Sequence, residues 1–215
     1  MRNEKWKLLG AVVGSIVVIV AIGLSLSYLP NLLAQPEATP TPGGMVVSDV
    51  RQMRDFELVD QNNKPTKLSD FRGKVVLMFF GYTHCPDVCP LEMSDYKRIK
   101  QALDEKSPHL SKQVAFVMIS VDGDRDTPEV MKPYLAAFDP TFIGLTGAPA
   151  KVANIGLDYG VKVQTLKSNN TQSGYEVAHT SYSYLIDKQG KWRVAYPFQT
   201  PAATIANDIA SYLKN

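Results

Sequence analysis

Residues 73–82, GKVVLMFFGY, keep a near-continuous apolar character over a length suited to one strand. Such a run fits a central strand covered on both faces, which an α/β sheet provides. VAFVMISVD at 114–122 is a second run of the same kind, and a helical stretch from about Asp87 to Glu105 lies between them. Upstream, DFELVD and KPTKLSD, joined by QNN, predict a hairpin. Downstream, GDRDTPEVMKPYLAAF predicts a helix capped by Thr127 with Pro128 at its first position. TFIGLTG and KVANIGLDYG repeat the strand and helix pattern. SYSYLIDKQGKWRVAYP then predicts a hairpin turning at Lys188 to Gly190, and PAATIANDIASYLKN an amphipathic terminal helix. Strand and helix alternation ending in a hairpin argues an α/β domain with a mixed sheet, expected over residues 49–215.

The N-terminal part has a different composition. From Leu8 to Leu29 the chain carries no charge, and at about 1.5 Å per residue this stretch covers a hydrocarbon core of roughly 30 Å. A single transmembrane anchor is therefore expected over 8–29. Its apolar core exceeds the usual length of a cleaved signal peptide, although LLAQ around Ala34 faintly resembles a cleavage site. Arg2, Lys5 and Lys7 precede the span and no positive charge follows it closely, so residues 1–7 are expected in the cytoplasm and the C-terminal domain outside the cell membrane. Residues 30–48, rich in proline, threonine and glycine, read as a semi-stiff linker. The three basic residues at the N-terminus, less Glu4, supply the whole net charge of +2, so the remainder is balanced and offers no nucleic-acid surface.

Both cysteines of the chain fall in GYTHCPDVCP, residues 81–90. They follow a buried strand and open a helix, which places Cys85 and Cys89 at the C-terminal edge of the sheet, where α/β proteins carry their chemistry. In a helical turn, residues four apart share a face with Cα atoms about 6 Å apart, near enough for two sulfurs to hold one ion or to form a disulfide. The helix N-terminus favours thiolate over thiol. As a purely stabilising bridge the pair would close too short a loop for a large entropic gain. Two thiolates are an incomplete set for zinc, which takes four ligands, whereas Cu(I) accepts two or three soft ones.

Three histidines could complete the set. His84 adjoins Cys85, and neighbouring side chains diverge. His109 lies in a polar connection. His179, in VAHTSYSYLID just before the last hairpin, is the better candidate, set against the many histidines that serve structure alone. Met93, four residues after Cys89, could extend a soft face but reads more simply as core. The acidic run at Asp122 to Asp126 imitates a calcium loop, yet Thr127 and Pro133 stand where glycine and glutamate are needed.

FFGYTHCPDVCP, SVDGDRDTPEVMKPY and AHTSYSYLIDKQG together resemble the Sco/SenC proteins, from about Arg54 to the C-terminus. The resemblance implies a thioredoxin-like, peroxiredoxin-related mixed sheet flanked by helices behind an N-terminal transmembrane helix. It implies that Cys85, Cys89 and His179 ligate copper, as Cu(I), Cu(II) or both, with His179 standing where thioredoxins place a proline loop facing the cysteines. Asp87 also fits the family pattern, whereas Ala178 replaces an acidic residue found in some relatives. The implied function is a membrane-anchored metallochaperone that delivers copper to, or helps assemble, the binuclear copper centre of cytochrome c oxidase. Its expected partners are the oxidase subunit carrying that centre and another copper chaperone or a thiol–disulfide reductant. The alternative is a thiol–disulfide oxidoreductase that uses Cys85 and Cys89 as a redox pair to reduce the copper-receiving cysteines of that subunit. A peroxidase is disfavoured because Met78 and Tyr82 replace its activating proline and threonine.

Overall fold

The structure, a computed structural model, describes residues 43–47, 50, 52–167, 175–178 and 181–214, with backbone alone for 165–167 and 175–178. The two apolar runs form β4 (Val75–Gly81) and β5 (Val114–Ser120), and every residue of both is buried. They pair in parallel from Val75 with Val114 to Gly81 with Ser120. The crossover between them is α1 (Val88–Lys106), and α2 (Pro128–Ala136) makes the next one to β6 (Ile143–Thr146), again parallel to β5. Two successive right-handed crossovers in one direction across a sheet set both helices on the same face. Lys100 on α1 pairs with Asp139 beyond α2 at 2.8 Å and ties the two together.

On the other side of β4 lies the hairpin of β9 (Tyr182–Ile186) and β10 (Trp192–Pro197), with β9 antiparallel to β4. Its turn is held by Asp187, whose carboxylate accepts the N–H groups of Gln189 and Lys191, and Gly190 adopts the left-handed φ of 78° that the turn requires. The first hairpin joins β2 (Glu57–Asp60) to β3 (Pro65–Lys67), and β2 also pairs with β6. With β1 (Met45–Val46) on β10, the sheet runs β1-β10-β9-β4-β5-β6-β2-β3. α3 (Pro149–Leu157) follows β6, and α4 (Ala202–Lys214) closes the fold. A separate ribbon of β7 (Gln164–Lys167) and β8 (Tyr175–Ala178) stands outside the main sheet.

The mixed sheet flanked by helices is thus present, with three local differences. KPTKLSD does not stay extended: Leu68–Phe71 coil into a 3₁₀ turn because Asp70 accepts the Lys67 N–H and Asp55 takes both the Ser69 N–H and its hydroxyl. Thr127 occupies the N-cap before Pro128, but its side chain caps nothing; its carbonyl receives the N–H groups of Val130 and Met131. The β7–β8 ribbon has no counterpart in the sequence pattern, since QTLK and YEVA are only four residues each and neither is a continuous apolar run. No helix among the described residues is long and apolar enough to cross a membrane; residues 8–29 lie outside them.

Candidate metal centre

β4 ends at Gly81, and the chain turns through Tyr82–Asp87 into α1. A Cβ on Gly81 would stand 2.6 Å from a ring carbon of Phe79 and 3.0 Å from the Cys89 sulfur, so the floor under that sulfur has room only for glycine. Cys89 is fully buried and Cys85 half-buried, and no disulfide joins them. The Cys89 N–H points at the Cys85 sulfur, 3.4 Å away. That sulfur therefore takes the place of a capping oxygen for the first turn of α1. Asp87, the N-cap residue, makes no side-chain capping bond.

The helix N-terminus does not make Cys89 a thiolate. The hydrogen-bonded Cys85 sulfur first, and burial second, push the Cys89 thiol far up, so it holds its proton in the metal-free fold. In this position desolvation and a competing sulfur outweigh the helix dipole expected to act the other way.

The loop before Cys85 is organised by Asp126, which is completely buried. Its carboxylate accepts the Thr83 N–H at 2.9 Å, the Thr83 hydroxyl at 2.6 Å and the Ser120 hydroxyl at 2.7 Å. Asp122, in the same acidic run, pairs with Arg125, whose guanidinium lies 5.8 Å from the Tyr82 ring centre. The run is therefore a structural brace between the ends of β4 and β5. His84 turns toward this brace, with Nδ1 3.0 Å from the Thr83 hydroxyl and 3.6 Å from Asp126. His109 caps a 3₁₀ turn at the opposite end of the strands, where it lines a cavity of about 460 Å³ with Lys74, Lys100 and Lys112. Met93 is sealed in the core.

Among the described residues no third histidine, cysteine or carboxylate joins the two sulfurs. His179 lies outside those residues, two positions before Ser181, at which the described backbone resumes ahead of β9.

Two groups near the cysteines escaped sequence reasoning. Glu92, one turn beyond Cys89, is buried and accepts a hydrogen bond from the Ser183 hydroxyl on β9, which also meets the Tyr96 hydroxyl at 2.9 Å. Burial pushes Glu92 up to about 7, the Ser183 bond opposing and Asp95 reinforcing the shift. The network ties the helix that bears Cys89 to the strand that follows His179. Tyr134, on α2, keeps its hydroxyl buried without a partner. A serine opposite a glutamate in a pleated strand carries no sequence signal, but SVDGDRD at the end of a buried strand beside the cysteine loop could have pointed to Asp126.

The chain matches the SCO1/SenC family model over residues 48–214. It is 34% identical over 179 residues to a SCO2-like protein of Rickettsia felis, covering 82% of this chain and 85% of that one. It is 36% identical over 162 residues to the mitochondrial protein SCO2 of Saccharomyces cerevisiae, covering 74% of this chain and 53% of that one. Among solved structures it resembles Bradyrhizobium japonicum ScoI with copper bound, at a TM-score of 0.67 and 35% identity over 76% of this chain and all of that one. A match that takes in the cysteine loop, the acidic brace and the closing hairpin in one continuous span shows that the chain belongs to the SCO1/SenC family.

Proposed function

We propose that this protein is a membrane-anchored copper metallochaperone that delivers copper to, or helps assemble, the binuclear copper centre of cytochrome c oxidase, with Cys85, Cys89 and His179 as ligands. The observation that carries this reading is the pair of sulfurs four residues apart, with no disulfide between them, at the C-terminal edge of the central strand. The copper-bound relative shares this fold over its whole length, which supports copper as the cargo. Two thiolates and one imidazole suit three-coordinate Cu(I), and the imidazole also accommodates Cu(II). Such a set leaves room for an acceptor's ligands to add before the donor's leave. The uncharged stretch at 8–29 supports a single-pass anchor, and the proline-rich segment after it supports a tether that lets the cysteine edge reach an oxidase subunit outside the cell membrane.

The test is the copper stoichiometry and affinity of the reduced protein, compared with Cys85→Ala, Cys89→Ala and His179→Ala. Each variant is expected to lose tight copper, and His179→Ala to keep disulfide exchange through the intact sulfur pair. Unchanged copper affinity in His179→Ala would refute the three-ligand site.

A further inference from the structure

The edge of the sheet opposite the cysteines holds the cavity of about 460 Å³, which the sulfur chemistry does not use. α2 ends at Ala136, and Asp139 just beyond it meets α1 at Lys100, well before α1 itself ends at Lys106. The starts of β5 and β6 therefore face a gap beside the last turns of α1, with an apolar floor of Val114, Phe116 and Ile143.

The walls above this floor are basic. Lys100 on α1, Lys74 just before β4, and His109 and Lys112 just before β5 come from three separate stretches of chain and converge on one volume. Asp104 is the one carboxylate among the described lining residues, and it is already engaged. It accepts the Ser111 N–H at 3.0 Å and the Ser111 hydroxyl at 2.8 Å. Those bonds pin the 3₁₀ turn Leu110–Gln113 to α1, so the loop that carries His109 and Lys112 is fixed in place. Lys100 is held by Asp139 at 2.8 Å, whereas Lys74 and Lys112 make no side-chain hydrogen bond or ion pair among the described residues. A cleft with charge of one sign over low-dielectric walls concentrates the opposite ion. The donors also select its shape. Lysine acts as a compact point charge, while planar carboxylates are gripped by the fork of arginine, and no arginine is among the described lining residues. Three ammonium groups suit a compact, multiply charged head such as phosphate. A bare inorganic ion would leave the apolar floor wet, so the rest of the ligand is apolar.

We infer that this cavity binds a phosphomonoester with an apolar body, its phosphate on Lys74, Lys112 and His109 and its body on Phe116 and Ile143. The site is separate from the sulfurs and does not rest on the metal reading above. Two sources carry this chemistry: a soluble alkyl or aryl phosphate, and the phosphatidate headgroup of a membrane.

The experiment uses the full chain in phosphatidylcholine nanodiscs, titrated calorimetrically with phenyl phosphate, inorganic phosphate and benzyl alcohol. Phenyl phosphate is expected to bind about ten-fold more tightly than inorganic phosphate, and benzyl alcohol not to bind. Lys74→Gln combined with Lys112→Gln changes two exposed side chains and leaves the core alone. It should weaken phenyl phosphate about ten-fold or more, the scale of lost hydrogen bonds to a charged group. The same loss of charge at Lys151→Gln combined with Lys162→Gln, exposed positions outside the cavity, should leave binding unchanged. Equal weakening by the two pairs would show attraction to net charge alone and overturn the inference. Equal affinity for phenyl phosphate and inorganic phosphate overturns the apolar body, and no uptake of phenyl phosphate overturns the site. Discs carrying phosphatidate, set against discs of equal charge carrying phosphatidylglycerol, separate the two sources. Weaker phenyl phosphate binding in the phosphatidate discs assigns the site to the lipid headgroup, and equal binding in both assigns it to a soluble phosphomonoester.

Discussion

Replacing Glu92 by glutamine should make the protein's stability less dependent on pH, and the sign follows from burial. The carboxyl is 8% exposed and is raised from 4.5 to about 7, so the native state holds a proton that the unfolded chain releases. Stability changes with pH as the difference between protons bound by the unfolded and native states, which is negative here. The stabilisation from this group is complete below about 4.5 and disappears as pH rises through about 7. At about 1.4 kcal/mol per unit, the total is about 3 kcal/mol. Glutamine keeps an oxygen to accept the Ser183 hydroxyl and cannot ionise. Its amide N–H groups need new partners, a cost that is the same at every pH. The informative quantity is therefore the difference in unfolding free energy between Glu92→Gln and the parent, measured by urea denaturation with tryptophan fluorescence from about pH 5 to about pH 8. That difference should move in favour of glutamine by up to about 3 kcal/mol across the range. Asp55, Asp104 and Asp139, whose carboxyls are lowered, act in more acidic solution and cancel in the comparison. A difference that stays flat across the range would refute the account of a buried, proton-holding carboxyl between α1 and β9.

Three further substitutions probe the frame around the cysteines. Asp126→Ala strands the Thr83 N–H and two hydroxyls and should cost about 3 kcal/mol or more in urea unfolding; a loss under 1 kcal/mol, on the order of an exposed bond, would count against the brace. Gly81→Ala forces a methyl into Phe79 and the Cys89 sulfur, with an expected loss of about 1–3 kcal/mol, and an unchanged unfolding midpoint would show that the floor yields. Asp208→Ala removes the acceptor of the Gly43 N–H and the Tyr196 hydroxyl, so amide exchange at Met45–Val47 should quicken while that in β4 stays slow; equal protection in both proteins would mean that β1 is held by its ladder alone.

How far the sequence foretold this molecule depended on whether burial left a mark on residue type. β4 and β5 were legible because covering both faces of a strand demands apolar residues at every position, and VVLMFF and VAFVMI supply them. The cysteine pair was legible as a site because it sits where the first of those runs ends. β1 was not, since two residues after a proline- and glycine-rich stretch have no period, and their pairing depends on β10, almost 150 residues on. Glu92 reads in sequence as one more charged position on an exposed helix face. Only the closeness of β9 to α1 buries it, and that is a property of the sheet order. Tyr134 is a similar case, in which the residue type is ordinary and the lack of a partner for its hydroxyl is set in three dimensions.

The sulfur of Cys85 does two jobs at once. The lone pair that faces the amide of Cys89 is drawn from the same valence shell that any bond to a metal or a second sulfur would use. Occupying that atom must weaken the latch on the opening coil of the long helix, so its chemical state is written into the solvent exchange and chemical shift of a backbone proton four residues away.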